Sequence, residues 1–278
     1  MTRIPLGVSR LDEMFDGGAP DGSTILLATE IGAGGRDFLY TSAVMNGLAK
    51  ESKDQFDFYY GSLPKRSTLP ESIQYYSFTA NEEALMREME FTMEEEIVNQ
   101  GTDAITFRDL SLEYFRQSQV PTEWYMKETR DIRTLGEDKG KEDVYDAIGE
   151  YLGSAPSRSI VAIDSVTDLL SIADDQVGWS DITLLMKGLK KVFNREGGVL
   201  LMLANLESLT DEQVGRLMET ADGTLMFEWE SSGTQRDRTM FVQEFRGVLS
   251  KLEDENIIRF ETEITESGFD ISDVRKIR

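Results

Sequence analysis

The sequence predicts an α/β fold in which a mostly parallel central sheet carries helices on both faces and is extended at one edge by antiparallel strands near the C-terminus. Three observations lead there. The runs Ile25-Leu26-Leu27-Ala28, Ser159-Ile160-Val161-Ala162-Ile163-Asp164 and Val199-Leu200-Leu201-Met202-Leu203 are apolar without alternation, as expected of strands buried on both faces. Segments of helical periodicity separate them. From Gly223 the texture changes to short strands and turns over 224–229, 238–245, 257–264 and 269–271, the pattern of a meander. No internal repeat, linker or low-complexity tract interrupts residues 1–278, so one domain is expected.

Taken in order, Ser9 is placed to cap a short helix through Leu11 and Met14, and Asp16-Gly17-Gly18-Ala19-Pro20-Asp21-Gly22 ends it. The strand at 25–28 delivers the chain into Gly32-Ala33-Gly34-Gly35, and 36–49 follows as a helix with Phe38, Leu39, Ala43, Val44 and Leu48 at helical spacing. Phe56-Asp57-Phe58-Tyr59-Tyr60 predicts a second strand and 73–78 a third. Asn81, followed by Glu82 and Glu83, opens a helix that runs to about Asn99 with Leu85, Met89, Met93 and Ile97 on its core face. A strand at 104–107 leads into a polar, irregular excursion over 108–140, a candidate partner-binding insertion. A helix at 141–152, the strand ending in Asp164, a helix at 180–195 and the strand at 199–203 complete the alternation.

Composition narrows the function. With 52 acidic residues against 29 basic ones, the formal charge is −23. Such a surface repels phosphate backbones and anionic headgroups, so neither nucleic acid nor a membrane is the expected partner. The acid is spread along the chain, which fits solvation at high salt, where screening shortens self-repulsion. Cys and His are both absent, which removes disulfides, thiol nucleophiles, histidine bases and the usual zinc ligand sets and leaves hard oxygen ligands suited to Mg²⁺. The N-terminal residues carry no apolar h-region and no apolar run is long enough to span a bilayer, so a cytoplasmic location is expected.

The order strand, Gly-rich turn, helix is that of a phosphate loop, whose backbone amides face an anion at a helix N-terminus. The full pattern is G-x-x-x-x-G-K-[ST], with the Lys between phosphates and the hydroxyl on Mg²⁺. Laid on this chain, the first Gly falls at Thr29, the last at Gly34, the Lys at Gly35 and the hydroxyl at Arg36. Gly32, Ala33, Gly34, Gly35 and Arg36 are the candidate anion-binding residues. Gly35 supplies no charge, while the stem of Arg36 starts one residue later, rotated by roughly 100° around the helix. Losing one transition-state donor costs about 2.7–4 kcal/mol, so turnover of ATP is expected to be severely reduced. The alternative for the glycine cluster is a tight turn unrelated to phosphate. Asp164, closing an apolar strand, sits at the position that holds Mg²⁺ in a phosphate-loop protein; the alternative is an Asp capping the next turn. The second predicted strand ends in Tyr60-Gly61-Ser62-Leu63, with no carboxylate to polarise water, and Glu207 is the substitute that the sequence offers.

These residues resemble the KaiC-like and RadA-like branch of the RecA superfamily of P-loop ATPases. The opening Phe15-Asp16-Gly17-Gly18-Ala19-Pro20-Asp21-Gly22-Ser23 is similar to the family's glycine-rich entry, and Val161-Ala162-Ile163-Asp164-Ser165 to its Walker B strand. Ala221-Asp222-Gly223-Thr224 and Glu244-Phe245-Arg246-Gly247 resemble an edge-strand element and the K-x-R-G element, with Arg246 kept and the Lys replaced by Glu244. The resemblance implies ATP held between subunits of a ring or filament, with Arg246 reaching a neighbour's phosphates; the paired glutamates that activate water in the family are replaced here by Gly61 and Ser62. Together with the acidic composition it implies a degenerate, haloarchaeal-type member. The expected function is a non-hydrolysing regulatory or scaffolding protein that works through protein partners, by self-association or with a KaiC-like relative. The candidate ligand is ATP or another nucleotide with Mg²⁺, weakly bound. The alternative is a slow ATPase using Arg36 as a displaced phosphate ligand. A role in DNA recombination is a third reading, opposed by the charge.

Overall fold

The structure, a computed structural model, describes residues 2–116, 118–125, 144–153, 157–171, 179–232 and 235–276. Its strands are β1 (Arg3–Ile4), β2 (Ala19–Pro20), β3 (Ser23–Thr29), β4 (Ile73–Ser77), β5 (Ile105–Asp109), β6 (Ile160–Asp164), β7 (Val199–Asn205), β8 (Gly223–Ser232), β9 (Gln235–Phe245), β10 (Ile257–Thr265) and β11 (Gly268–Lys276). The helices are α1 (Ser9–Met14), α2 (Gly35–Glu51), α3 (Lys53–Tyr59), α4 (Glu82–Glu90), α5 (Glu95–Thr102), α6 (Ser111–Phe115), α7 (Val144–Gly153), α8 (Val166–Ser171), α9 (Trp179–Glu196), α10 (Asp211–Thr220) and α11 (Leu249–Asp254).

Apart from the small β1–β2 pair, the strands form one nine-stranded sheet in the order β11-β10-β9-β8-β3-β7-β6-β4-β5. From β8 to β5 the neighbours are parallel, whereas β8-β9, β9-β10 and β10-β11 are antiparallel. The predicted meander is therefore an extension of the same sheet. The lack of alternation in β3 has a direct cause: Ile25 and Leu27 enter one hydrophobic cluster with Phe38, Leu48, Leu85 and Ile97, while Leu26 and Ala28 enter the other with Ile148, Leu169, Leu189 and Leu217. Helices α2–α5 thus cover one face and α7–α10 the other, and every side chain of β3 leaves water.

Four expectations require correction. Residues 56–60 lie in and just beyond a helix, α3, not in a strand. Phe56 and Tyr60 stack with ring centroids 4.5 Å apart and are buried, while Phe58 is 80% exposed; a strand would have put all three on one face. The helix expected over 81–99 is two helices, broken after Glu90 because the Glu94 amide donates to the Glu266 carbonyl (2.8 Å) and Met93 bridges Ser267 in the β10–β11 turn. Leu85, Met89, Met93 and Ile97 are nevertheless all buried, and Asn81 caps α4 by accepting from the Ala84 amide at 3.0 Å. Ser9 caps nothing: α1 begins after Val8, without a side-chain cap. Finally, within the polar excursion at 108–140, residues 111–115 form α6 and 122–124 a 3-10 turn, while 126–143 lie outside the described residues.

Candidate functional site

The parallel strands β3, β7, β6 and β4 all point their C-terminal ends at one edge of the sheet, where a doubly wound fold binds ligands. A cleft of about 520 Å³ opens there, lined by the loop after β3, the start of α2, Thr79, Glu88, Phe91, Thr92 and the residues that follow β6 and β7. The loop has the conformation its glycines permit. Gly34 is the N-cap of α2 at φ 105°, a left-handed geometry that side chains resist. Among the described residues, the amides of Gly34, Gly35 and Arg36 have no hydrogen-bonding acceptor, so the open amino end of a 17-residue helix faces the cleft. Gly32 and Gly34 line the cleft, whereas Ala33 is fully buried beneath the turn.

The loop is braced from outside. The Ala33 amide donates to the Glu30 carbonyl at 3.0 Å, and the Glu30 carboxylate accepts from the Trp229 amide at 2.8 Å. Trp229 Nε1 donates to the Ile31 carbonyl and Arg238 Nε to that of Gly32, with the guanidinium groups of Arg236 and Arg238 against the Trp229 ring. Glu207, the substitute base of the sequence reading, accepts from the Ile31 amide at 2.9 Å. Its carboxylate is therefore committed to the loop.

Position 35, where a phosphate-loop Lys is expected, is filled in: a Cβ built on Gly35 falls 2.6 Å from the Thr29 Cβ. Position 36 carries the larger change. Arg36 Nη2 donates to Asp164 Oδ1 at 2.9 Å, and the Tyr75 hydroxyl donates to Asp164 Oδ2 at 2.8 Å. The Asp164 side chain is 6% exposed and that of Arg36 52%. Burial pushes the Asp164 carboxyl up, against the opposing pull of Arg36 and Tyr75. Burial likewise opposes the Arg36 charge, but Asp164, Tyr40 and Tyr75 outweigh it and hold its pKa above the ordinary arginine value. Asp164 closes β6 as expected, and its peptide bond to Ser165 is cis. The turn-capping role falls instead to Asp168, which accepts from the Ser165 amide and hydroxyl at 3.1 and 2.6 Å.

Among the described lining residues Arg36 is the one cation, and Glu30, Asp37, Glu88 and Asp168 are the carboxylates. One cleft residue and one fully buried residue escaped the sequence reading. Glu88 accepts from the Tyr40 hydroxyl at 2.6 Å, and Tyr75 anchors Asp164; both lie on elements whose polar positions carry no motif. The expected site of paired glutamates moves. Gly61 and Ser62 follow α3, away from the cleft, and the strand that does reach it, β4, ends in Ser77-Phe78-Thr79. That strand end also lacks a carboxylate. Arg246 is exposed beyond β9 and does not join the cleft: Phe245 pairs with Gly223, which pairs with Ile25 near the start of β3, at the opposite end of the sheet from the loop. Among the described residues no group of three or more acidic side chains is arranged to hold a metal ion, and no helix is long and apolar enough to cross a membrane.

The sheet order, the loop entering α2 and the antiparallel extension define a RecA-like P-loop NTPase fold. The chain is similar to a KaiC-like protein, PH0186, from the hyperthermophilic archaeon Pyrococcus horikoshii OT3, with a TM-score of 0.59 and 17% identity over 98% of this chain and 99% of that one. It is also similar to the flagellar accessory protein FlaH from Methanocaldococcus jannaschii, with a TM-score of 0.60 and 12% identity over 98% of this chain and 99% of that one. At these identities the likeness is one of fold. The sequence matches no protein-family model and no curated protein.

Proposed function

We propose that this chain is a degenerate KaiC-like domain of haloarchaeal type that does not turn over ATP and acts in the cytoplasm as a regulatory or scaffolding protein through protein contacts. The observation that carries this reading is the pairing of Arg36 with Asp164 at 2.9 Å: the group that replaces the phosphate-loop hydroxyl is spent on the carboxylate that the hydroxyl would serve. Two further features support it. Thr29 fills the space beside Gly35, and the end of β4 offers no carboxylate to polarise water. Catalysis of phosphoryl transfer is almost wholly positioning and charge stabilisation, and among the described residues that line this cleft one guanidinium, already paired with Asp164, stands against four further carboxylates. The loop amides are left with a weak affinity for a nucleotide or simpler anion.

Protein contacts are supported by the apolar rim. Ile31 at the loop tip is 66% exposed and Phe91 across the cleft 88% exposed, an arrangement that suits a neighbour, whether a second copy of this chain or a KaiC-like relative, seated over the loop. Titration of ATP at molar KCl, with phosphate release followed in parallel, tests the proposal. Weak or absent binding without release is expected; sustained release that disappears in Asp164→Asn would sink it. A second reading, slow Mg²⁺-dependent hydrolysis with Arg36 as a displaced phosphate ligand, draws on the half-exposed guanidinium at the cleft wall. It requires Arg36→Ala to abolish nucleotide affinity, and unchanged affinity in that variant rules it out.

A further inference from the structure

We infer that Arg36 is the resident cation of the cleft: its guanidinium joins the start of α2 to the end of β6 where a P-loop site uses a divalent metal, and Asp164 takes up no metal ion. In the phosphate-loop motif the hydroxyl of the position occupied by Arg36 and the acid of the position occupied by Asp164 meet through Mg²⁺. Here the two positions meet directly, guanidinium nitrogen to carboxylate oxygen, at 2.9 Å.

Three properties of the site exclude a dication from the same place. Both carboxylate oxygens already accept a donor, Oδ1 from Arg36 and Oδ2 from the buried Tyr75 hydroxyl. A lone pair remains on each oxygen, but a metal bound there sits within a few ångströms of a guanidinium that cannot be deprotonated, so it meets like charge at short range in a partly dry setting. Mg²⁺ also demands six oxygens in near-ideal octahedral geometry and keeps several waters, whereas the Asp164 side chain is 6% exposed.

A guanidinium differs from Mg²⁺ in ways that set the behaviour of the site. It is covalently part of the chain, so the cross-link between α2 and β6 persists whether or not a nucleotide is present. It carries one charge in place of two, so any anion on the loop amides is held without a metal and less tightly than a metal complex. This inference rests on the nucleotide-type reading of the cleft, but the two are tested by different signals, cation uptake here and phosphate release there.

The experiment is metal rescue. Thermal melts of the full chain at fixed high ionic strength, with Mg²⁺ exchanged against Na⁺, are compared for wild type, Arg36→Ser and Arg36→Ser/Asp164→Asn. Wild type is expected to show no Mg²⁺-specific shift. Arg36→Ser, with the loop hydroxyl restored, melts several degrees lower and regains most of that loss in millimolar Mg²⁺, and the double variant shows no rescue. A folded Arg36→Ser that ignores Mg²⁺ overturns the inference. Amide NMR of the wild-type chain with Mn²⁺ needs no variant: the Arg36, Tyr75 and Ser165 signals are expected to persist while those of exposed acidic segments broaden, and their selective loss at the lowest Mn²⁺ overturns the inference as well.

Discussion

Thr29 occupies the space that any side chain at position 35 would need, its Cβ lying 2.6 Å and its Oγ1 2.8 Å from a Cβ built on Gly35. In the motif these two positions carry Gly and Lys, so the chain has exchanged which of them bears the bulk. Restoring the lysine therefore requires emptying position 29 first. Gly35→Lys alone is expected to destabilise by about 1–3 kcal/mol through overpacking. Thr29→Gly/Gly35→Lys should recover most of that, with a coupling of roughly 0.5–3 kcal/mol. Denaturant unfolding of the two single variants and the double variant checks this, and strict additivity contradicts it.

Arg36 and Asp164 form a second coupled pair. Arg36→Ala leaves a buried carboxylate with Tyr75 as its remaining donor, at a cost of about 1–3 kcal/mol, moderated because water reaches the half-exposed arginine side. Asp164→Asn on that background removes the unpaired charge. The double variant is thus expected to be more stable than the sum of the single losses implies, as read by the same unfolding titrations.

Asp12 sets a pH dependence away from the cleft. Its carboxyl is fully buried and accepts from the Leu6 and Gly7 amides at 2.7 and 3.0 Å and from the Tyr60 hydroxyl at 2.9 Å. Burial pushes its pKa up to about 7 from an ordinary 3.8, although the hydrogen bonds pull the other way. Between those values the folded chain keeps a proton that the unfolded chain has released. Stability therefore falls as pH rises through that interval and levels off above about 7. Asp12→Asn does not titrate. Relative to it, wild type should lose up to about 1.4 kcal/mol per pH unit between pH 5 and 7, measured by denaturant unfolding at each pH; a constant difference contradicts the burial argument.

Ile31 and Phe91 touch the core too little to matter for folding. Ile31→Ser and Phe91→Ser are each expected to change stability by no more than about 0.5 kcal/mol while weakening self-association in sedimentation velocity at high salt. A melting temperature that drops by many degrees would place them in the fold and not on an interface.

The parts of this molecule legible in the sequence are those governed by local pattern. Strands β3, β6 and β7 declare themselves because burial on both faces leaves an uninterrupted apolar run, and Asn81 reads as a cap because its side chain bonds an amide three residues on. The failures belong to tertiary contacts. Phe56-Asp57-Phe58-Tyr59-Tyr60 has strand-forming residues, yet the stacking of Phe56 on Tyr60 selects the helix, and nothing local signals that Phe58 is left in water. No glycine or proline marks the break after Glu90; the β10–β11 turn imposes it from 172 residues away in the chain, through Glu94 and Glu266. In the cleft, the loop and Asp164 were readable from topology and motif position. That Arg36 would reach Asp164 was not, because the helical angle of its Cα says where the stem starts but a long side chain decides where the charge ends.

The proposed function requires that this cleft does not break the γ-phosphoryl bond. The most direct measurement is single-turnover release of labelled phosphate from γ-labelled ATP, with the chain in excess, Mg²⁺ present and salt at molar concentration. Release at the rate of the protein-free blank is the predicted result. A faster phase that vanishes when Asp164 is replaced by Asn would contradict it.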